Sequence, residues 1–296
     1  MFFLNNTLNF LISHPLSSSK PWKALINFVH WQLHYRLANQ SLSAFVFRFV
    51  ENTNIIIRGG ETGATGNIYV GLHEFVDMCL ILHFLSKDDL FFDIGANIGS
   101  YSLLAGGVSN ASVIALEPVS NTFHKLIENI GINNLHDQVK CFQYAVGSSI
   151  SQGVISTDAG CQNQILSDSI THLTNKTELV NITTIDELSK IYGFPSAIKI
   201  DVEGYEDQAF AGALETLNNQ TLSLIVIETV SPALHDKLTQ TGFIKVFYNP
   251  YTREILSNPV ASLKPGNNIY IRNRNFVNQK VAQSPAYFIH NMDIRI

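Results

Sequence analysis

The residues best suited to chemistry in this sequence are acidic side chains in or just after short apolar runs. Asp93 lies in the run LFFDI, Glu117 follows SVIAL, and Asp201 and Glu203 follow AIKI. Ionised carboxylates accept hydrogen bonds from hydroxyl and ammonium groups, and a carboxylate within reach of a hydroxyl can act as a general base. These residue types predict a site that binds a hydroxylated or cationic ligand and moves a proton.

A glycine-bearing turn, DIGANIG, lies at the first of these acids. Gly95 and Gly99 bracket the turn, and Gly95 allows a ligand to approach the backbone closely. A dinucleotide-binding loop has the pattern G-x-G-x-x-G, whose second glycine admits a pyrophosphate, but Ala96 and Asn97 stand there instead. Asp93 adds a negative charge that repels phosphate and suits an ammonium or sulfonium group. A tight strand–helix turn with a capping aspartate is the alternative interpretation.

Glu117 follows Gly95 by 22 residues and is expected at the tip of the second strand. An acid at about this distance accepts hydrogen bonds from the ribose hydroxyls of a nucleoside-containing ligand. Pro118 then stops the strand and turns the chain. S-adenosylmethionine has a ribose diol, a sulfonium, an amino group and no phosphate, so these residues favour it over NAD as the cofactor.

Asp201 and Glu203 share the tip of the predicted fourth strand, with one residue between them. Because side chains alternate along a strand, both are expected to point to one side, toward a crevice at the carboxyl ends of the strands. They are the best candidates for the general base, with Asp201 nearer the cofactor and Glu203 nearer the substrate; His73 and His172 are weaker candidates. In the alternative interpretation both acids accept backbone N–H hydrogen bonds in the turn at Gly204.

Alternating strand and helix patterns position these residues. Apolar runs predict strands at 90–94, 112–116, 138–146, 197–201, 222–228, 243–248 and 268–272. Helical patterns lie at 98–107, 119–130, 183–191, 206–218 and 232–240. Continuous apolar strands that alternate with helices are typical of a parallel sheet covered on both faces, so we predict a doubly wound α/β fold. The polar residues 147–182 are predicted to form an irregular insertion or a small hairpin.

Composition excludes several classes of protein. With 296 residues, of which 46 % are hydrophobic and 15 % charged, the chain is predicted to be globular rather than disordered. A net charge of −5 argues against a nucleic-acid-binding surface, and no apolar run reaches the roughly 18 residues of a membrane span. The three cysteines form neither a disulfide framework nor a metal motif, so we expect a cytoplasmic protein.

The N-terminal part of the chain carries a helical apolar stripe. Its members are Trp22, Leu25, Ile26, Val29, Leu33 and Leu37. Such a stripe can lie on a membrane surface, but it more often packs on the domain that follows, and we favour packing. Residues 1–14 lack the basic region and unbroken apolar core of a signal peptide.

Three segments together, FFDIGANIGSYS, ALEPVSNTFHKLIENI and AIKIDVEGYEDQAFAGA, resemble the FkbM family of S-adenosylmethionine-dependent methyltransferases. The resemblance covers residues 66–272. It implies a class I methyltransferase fold, which is a Rossmann-like, seven-stranded, mostly parallel sheet with an antiparallel last strand and helices on both faces. We therefore divide the chain into an N-terminal helical extension (1–65), a methyltransferase domain (66–275) and a C-terminal tail (276–296).

The resemblance also implies roles for residues that match the family motifs. The methionine and adenosine portions of S-adenosylmethionine would be bound by Asp93, Gly95, Ala96, Asn97 and Gly99. The ribose and adenine would be held by Glu117, Pro118, Tyr144, Ala145 and Val146. Glu74 would reach the amino group of the cofactor, while Asp201 and Glu203 would face its methionyl end and the methyl acceptor.

The implied reaction is methyl transfer to an oxygen atom, commonly on a sugar, a glycan or a secondary metabolite. The sequence shows no third clear carboxylate ligand beside the paired acids, so we predict no metal. The oligomeric state stays open. Two alternatives remain: a non-catalytic cofactor-binding module of a biosynthetic assembly, and a nicotinamide-dependent oxidoreductase, which the missing G-x-G-x-x-G pattern disfavours.

Overall fold

The computed structural model describes residues 2–37, 44–59, 61–157, 165–166, 176–263 and 266–296. The helices are α1 Phe2–Ser13, α2 Pro15–Ser19, α3 Pro21–Leu37, α4 Thr62–Val70, α5 Phe75–Phe84, α6 Ser100–Ser102, a π-helical turn Leu103–Val108, α7 Ser120–Ile132, α8 Ile185–Tyr192, α9 Glu206–Ala211, α10 Leu214–Asn218, α11 Pro232–Gln240 and α12 Arg274–Gln283. The strands are β1 Ala44–Arg48, β2 Asn54–Arg58, β3 Leu90–Ile94, β4 Ser112–Leu116, β5 Val139–Phe142, β6 Tyr144–Val146, β7 Ser151–Ser156, β8 Ile165–Leu166, β9 Thr177–Thr183, β10 Ala197–Ile200, β11 Leu224–Ile227, β12 Ile244–Asn249, β13 Glu254–Leu256, β14 Asn268–Ile271, β15 Phe288–Ile289 and β16 Ile294–Arg295.

The central sheet of the described chain has eight strands in the order β13-β12-β14-β11-β10-β3-β4-β5. Strands β3, β4, β5, β10 and β11 are parallel, and β14 is antiparallel to both of its neighbours. Seven of the strands form the predicted class I methyltransferase sheet, so the fold prediction is confirmed. The eighth strand, β13, is a hairpin partner of β12 at the sheet edge.

Alternate residues of the central strands pack into two hydrophobic cores, one on each face of the sheet. Phe91 belongs to one core and the adjacent Phe92 to the other, as the two-residue period of a strand requires. Because helices cover both faces, a central strand must be apolar throughout. Strand β10 is fully buried and follows this rule except at Lys199.

The carboxyl ends of three central strands, β3, β4 and β10, lie side by side. Register pairs Ile94 of β3 with Leu116 of β4 and with Ile200 of β10. The chain runs from β3 toward one edge of the sheet and from β10 toward the other. A crevice forms where the strand order reverses in this way, and the acids that follow these strand ends are brought to its edge.

The predicted strand 138–146 divides at Gln143. Its first part, β5, completes the central sheet, whereas β6 belongs to a second sheet with the order β6-β9-β7-β8. Strands β7 and β9 pair antiparallel within the predicted insertion, which therefore contains a hairpin. The predicted helix 98–107 begins at Ser100 and continues as the π-helical turn. The predicted helix 206–218 divides at Gly212, whose carbonyl accepts a hydrogen bond from Asp186 N–H instead.

The N-terminal extension is not wholly helical, because β1 and β2 form an antiparallel hairpin after α3. This hairpin is held to α7 by Asn129, whose side chain accepts a hydrogen bond from Ile56 N–H at 2.6 Å. At the other end of the chain, α12 spans the predicted boundary at 275, and Val50 forms a β-bridge with Ile289. Among the described residues, none of the helices combines the length and apolar character that a bilayer crossing requires.

Helix α3 packs on the protein through a face other than the predicted one. Ala24 and Trp31 are buried, and Asn27 donates to the carbonyl oxygens of Tyr69 and Asn291. The predicted stripe instead faces outward, with exposed side chains at Trp22, Leu25, Ile26, Val29 and Leu33. The prediction that this stripe packs on the following domain is therefore wrong; the side chain of Leu37 lies outside the described ones.

Candidate functional site

A cleft opens at the carboxyl ends of β3, β4 and β10. Nine of the sequence-predicted site residues line it: Gly95, Asn97, Glu117, Pro118, Tyr144, Ala145, Val146, Asp201 and Glu203. The other predicted residues are not among those that line it: Glu74, Asp93, Ala96 and Gly99.

The loop at Gly95 lies directly against the tip of β10. A Cβ at Gly95 would stand 1.9 Å from the carbonyl oxygen of Asp201, and the φ angle of +76° favours glycine. The N–H groups of Gly95 and Ala96 both donate to the carbonyl oxygen of Leu116, at 3.0 and 2.8 Å. At Gly99, where φ is +96°, a Cβ would stand 2.7 Å from a side chain of α7. Both glycines are therefore required by packing within the protein itself.

Glu117 lines the cleft with a nearly buried carboxylate. Its two oxygens accept hydrogen bonds from the backbone N–H groups of Asn97 and Val119, each at 3.0 Å. Burial raises the pKa of Glu117 to about 7, although these hydrogen bonds favour the ionised form. A carboxylate has about four acceptor positions, so Glu117 can still accept hydrogen bonds from ligand hydroxyls.

Asp93 is completely buried and does not line the cleft. Its Oδ2 accepts a hydrogen bond from the Ser102 hydroxyl at 2.6 Å, while Oδ1 has no partner among the described residues. Burial raises the pKa of Asp93, and the charge of Lys199 opposes that rise. Asp93 therefore connects β3 to α6 rather than lining the cleft beside the other acids.

A buried lysine that sequence reasoning missed lies at the end of β10. Lys199 Nζ donates to Asp201 Oδ2 at 2.8 Å and lies 5.0 Å from the ring centre of Tyr101. Burial lowers the pKa of Lys199, but the charges of Asp201, Asp93 and Glu74 more than offset this and hold it above its ordinary value. Burial raises the pKa of Asp201, yet the Lys199 ammonium brings it below its ordinary value. Both groups are therefore charged at neutral pH.

Glu228, directly after β11, joins the paired acids of β10. Carboxylate oxygens of Asp201, Glu203 and Glu228 lie within 4.8 Å of one another. Burial raises the pKa of Glu228 to about 8, and the charge of Asp201 and a hydrogen bond to it add to the rise. Burial, followed by the charge of Asp201, also raises the pKa of Glu203. Three carboxylates at this spacing can share a proton or hold a divalent cation.

Sequence reasoning counted only two of these three acids, although Glu228 ends the apolar run LSLIVIE as Glu117 ends its own. The prediction of no metal rested on the lack of a third ligand, and that ground does not hold. Strand β10 stops at Ile200, so strand alternation does not reach Asp201 and Glu203, although both line the cleft. In the turn that follows, Gly204 N–H donates to Glu206 instead of to these acids.

The predicted adenine-binding residues form one wall of the cleft. Tyr144, Ala145 and Val146 make up β6, which pairs in parallel with β9. Ile155 of β7 adds an apolar side chain to the same lining. The wall offers aromatic and apolar surface to the face of a planar ring, and the adenine-binding role of β6 stays a prediction.

Glu74 belongs to a buried polar cluster next to Lys199. Its carboxylate accepts hydrogen bonds from Tyr101 Oη at 2.9 Å and from the Asn267 amide at 3.1 Å. Asn267 also donates to Asp77, whose pKa is raised by burial to about 7. In this structure Glu74 therefore contacts protein groups, and its predicted contact with a cofactor amino group stays a prediction.

The two histidines predicted as weaker candidates for the base do not line the cleft. His73 lines a different pocket together with Phe10 and His14, and burial lowers its pKa. His172 lies outside the described residues. Among the described residues that line the cleft, the acids at the strand tips therefore remain the candidates for the general base.

The sequence pattern of the Methyltransferase FkbM domain matches residues 93–249, just over half of the chain. This chain belongs to the FkbM methyltransferase family. The matched region contains every described residue that lines the cleft, since the lining runs from Ile94 to Glu203. The family resemblance of the three sequence motifs is therefore confirmed.

One curated relative of this FkbM methyltransferase is the hexuronic acid methyltransferase AglP of Haloferax volcanii. The two proteins are 29 % identical over 153 residues, which are 50 % of this chain and 59 % of AglP. The chain therefore spans less than two thirds of that relative.

Two solved structures resemble the fold. The methyltransferase FkbM of Methylobacillus flagellatus KT has a TM-score of 0.43 and 16 % identity, with 63 % of this chain and 44 % of that chain covered. A precorrin-6y C5,15-methyltransferase of Geobacter metallireducens GS-15 has a TM-score of 0.36 and 14 % identity, with 68 % and 86 % covered.

Proposed function

We propose that this FkbM methyltransferase transfers a methyl group from S-adenosylmethionine to a hydroxyl group of a sugar or glycan. The observation that carries the proposal is the meeting of Glu117 with Asp201 and Glu203 in one cleft, across the Gly95 loop. This cleft lies within the family domain.

The polar groups of the cleft fit S-adenosylmethionine better than a dinucleotide. Glu117 keeps acceptor positions for two ribose hydroxyls, and Asp201 and Glu203 offer negative charge to a sulfonium or an ammonium group. No lysine or arginine is among the described residues that line the cleft. A pyrophosphate there would lack a counter-charge, which again disfavours a nicotinamide cofactor.

We assign binding and proton transfer to different carboxylates. Because Lys199 keeps Asp201 ionised and weakly basic, Asp201 suits the stabilisation of a bound cation. Glu203 has the raised pKa that favours proton acceptance, and no hydrogen-bond partner of its carboxylate is found among the described residues. Glu203 is therefore the proposed general base, while Glu74 and Asp93 act as positioning residues behind the cleft.

When bound, S-adenosylmethionine supplies an electrophilic methyl group to the acceptor oxygen. The acceptor hydroxyl must give up its proton, and a carboxylate within hydrogen-bond reach accelerates such a step by about 10²–10⁴-fold. In our proposal Glu203 accepts the proton of the acceptor hydroxyl, and bound S-adenosylmethionine would supply the methyl group and be converted to S-adenosylhomocysteine. The rigid Gly95 loop contributes alignment, which is the main requirement of an in-line displacement.

The proposed acceptor class is a carbohydrate hydroxyl. AglP, which shares 29 % identity with half of this chain, is named for methylation of hexuronic acid, so uronic acid residues of glycans are the first acceptors to test. We also propose a cytoplasmic location, because the described cysteines Cys79 and Cys141 are free thiols and reduced thiols are typical of the cytosol.

Calorimetry with S-adenosylhomocysteine and with NAD tests the cofactor. We expect binding of S-adenosylhomocysteine only, and binding of NAD alone would refute the assignment. Methyl transfer from labelled S-adenosylmethionine to uronate-containing and to neutral oligosaccharides then tests the acceptor class. Cofactor binding with no methyl transfer to either group of oligosaccharides would contradict the acceptor proposal and leave the cofactor proposal standing.

Two amide variants test the assigned roles. Glu203→Gln should lower kcat by about 10²-fold or more with nearly unchanged cofactor affinity. Asp201→Asn should weaken cofactor binding as well, because it removes the carboxylate that faces the cation. If Asp201→Asn lowers only kcat and Glu203→Gln weakens cofactor binding, the two roles are reversed.

A further inference from the structure

Helix α3 is apolar on two opposite faces, and only one of them packs against the protein. Its outer side exposes five large apolar side chains, each between 44 and 56 % accessible: Trp22, Leu25, Ile26, Val29 and Leu33. Their spacing places them within a face about 100° wide. Ala24 and Trp31 on the opposite side are buried. We call the five exposed side chains the α3 outer face.

The α3 outer face differs from the other exposed apolar side chains of the described residues. Ile191 on α8 and Leu214 on α10 are also exposed, but each lies singly on its own helix, which is normal for a protein surface. Five neighbouring residues on one helix make a contiguous patch, and such patches mark interaction surfaces.

The charge around this face indicates what covers it. Residues 1–50 contain no aspartate or glutamate, although the whole chain has a net charge of −5. The same residues include four basic ones: Lys20, Lys23, Arg36 and Arg48. Lys20 pairs with Asp293, whereas Arg36 is exposed and Lys23 lies beside the outer face, with its Nζ 5.6 Å from the ring centre of Trp22.

We propose that α3 is an interfacial helix that binds the surface of an anionic lipid bilayer, with the α3 outer face at the boundary of headgroups and acyl chains. Apolar residues on one side with basic residues at their flanks are the features of helices that lie in this plane. Trp22 at the start of the helix suits the headgroup level. Lys23 and Arg36 then meet the negative potential of the membrane surface.

A second copy of the chain fits this face less well. A two-fold interface brings the same patch of both copies together, so Lys23 and Arg36 of one copy would meet the basic residues of the other. The nearby acid Asp293 is already paired with Lys20, and residues 1–50 contain no aspartate or glutamate to offset that repulsion. An anionic bilayer supplies the opposite charge and the apolar medium together.

Sedimentation of the full chain with vesicles tests the proposal. We expect binding to vesicles of phosphatidylcholine mixed equally with phosphatidylglycerol, and much weaker binding to phosphatidylcholine alone. The double variant Leu25→Gln with Val29→Gln should weaken binding to the mixed vesicles at least about tenfold, because it removes apolar surface from the contact. The double variant Lys23→Gln with Arg36→Gln should weaken binding and reduce its dependence on salt.

The matched control is Leu214→Gln, which alters a side chain of similar exposure, 53 %, on α10. It should leave vesicle binding unchanged, and all variants should keep the melting temperature because the altered side chains face outward. Failure to bind the mixed vesicles would overturn the proposal. A dimer in vesicle-free sedimentation velocity that dissociates in the Leu25→Gln and Val29→Gln variant would overturn it in favour of self-association.

Discussion

The two sides of the cleft hold their carboxylates in different ways. On the β4 side, Glu117 is bonded to backbone N–H groups of Asn97 and Val119. On the β10 side, Asp201 is bonded to the buried ammonium of Lys199 and lies within 4.8 Å of Glu228. Backbone N–H groups do not titrate, whereas side-chain partners do. The side that we assign to the ribose is therefore set by the fold, and the side that we assign to catalysis is set by a network of charges.

The largest expected effect comes from removing the cation of this network. Lys199→Met leaves the fully buried Asp93 and the partly buried Asp201 without their counter-charge, so the free energy of unfolding should fall by about 3–5 kcal/mol, as measured by urea denaturation. The matched control is Lys190→Met, because Lys190 pairs with Glu215 at the same distance of 2.8 Å but on the exposed surface. Equal losses in the two variants would show that burial does not distinguish the pairs.

A smaller effect is expected when a side chain is added where the Gly95 loop contacts the tip of β10. Gly95→Ala introduces a Cβ at 1.9 Å from the Asp201 carbonyl oxygen at a positive φ angle, and we expect a loss of about 3 kcal/mol in unfolding free energy. Gly204→Ala has a similar φ of +92° with nothing within 4 Å of its Cβ, so it should cost only about 1 kcal/mol. Thermal denaturation of both variants separates steric overlap from backbone strain.

Removing the carboxylate of Glu117, on the β4 side of the cleft, should affect ligand binding more than stability. Glu117→Ala should weaken S-adenosylhomocysteine binding by about 1–3 kcal/mol, because ligand hydroxyls lose their acceptor. Asp186→Ala is the control, since Asp186 also accepts two backbone N–H bonds, from Glu215 and Thr216, and is not among the cleft-lining residues. Calorimetry should show reduced affinity for the first variant alone, and an unchanged Kd for Glu117→Ala would locate the ribose elsewhere.

The smallest expected effect is on the pH dependence of stability. Burial raises the pKa of Glu117 to about 7 and that of Glu228 to about 8, so the folded state holds protons that the unfolded state has released. Stability that depends on these protons is lost as pH rises through the folded-state values. From pH 6.5 to about 8.5 the unfolding free energy should fall by about 1 kcal/mol, since partial exposure of Glu228 reduces its share.

Buried histidines change the unfolding free energy with pH in the opposite direction, and they do so at lower pH. Burial lowers the pKa values of His14 and His83 to about 4, so their contribution is lost on acidification below their ordinary value of 6.5. Above that value both are largely neutral in the folded and unfolded states. Urea denaturation at pH 6.5 and at about pH 8.5 tests the expected fall in unfolding free energy. The Glu228→Gln variant should lose less stability between these pH values than the unchanged protein. A rise in stability across this range would contradict the assignment.

Sequence patterns predicted the strand tips well, because a parallel sheet with both faces covered requires continuous apolar strands. The acids at the ends of β3, β4 and β10 were expected near one another, and the structure brings Glu117, Asp201 and Glu203 into one cleft. Asp93 was expected beside them and lies completely buried instead, because it is the fourth residue of a five-residue strand and its side chain packs below the loop.

The parts that could not be predicted depend on contacts between distant residues. Lys199 interrupts an apolar strand, and only the three-dimensional neighbours Asp93, Asp201 and Tyr101 explain a buried ammonium there. The division of the third strand at Gln143 follows from the pairing of β6 with β9, which no local pattern indicates. The outward α3 face was also unpredictable, since apolar residues occur on both sides of that helix.

The β-bridge between Val50 and Ile289 has a consequence for how the chain is made. Phe288 N–H donates to Glu51 Oε1 across 237 residues of sequence. At about 5–20 residues per second, a ribosome needs roughly 12–50 s to make the intervening chain. During translation the segment that contains Phe288 and Ile289 is therefore made long after the β1–β2 hairpin. The contact between them is expected to form among the last steps of folding.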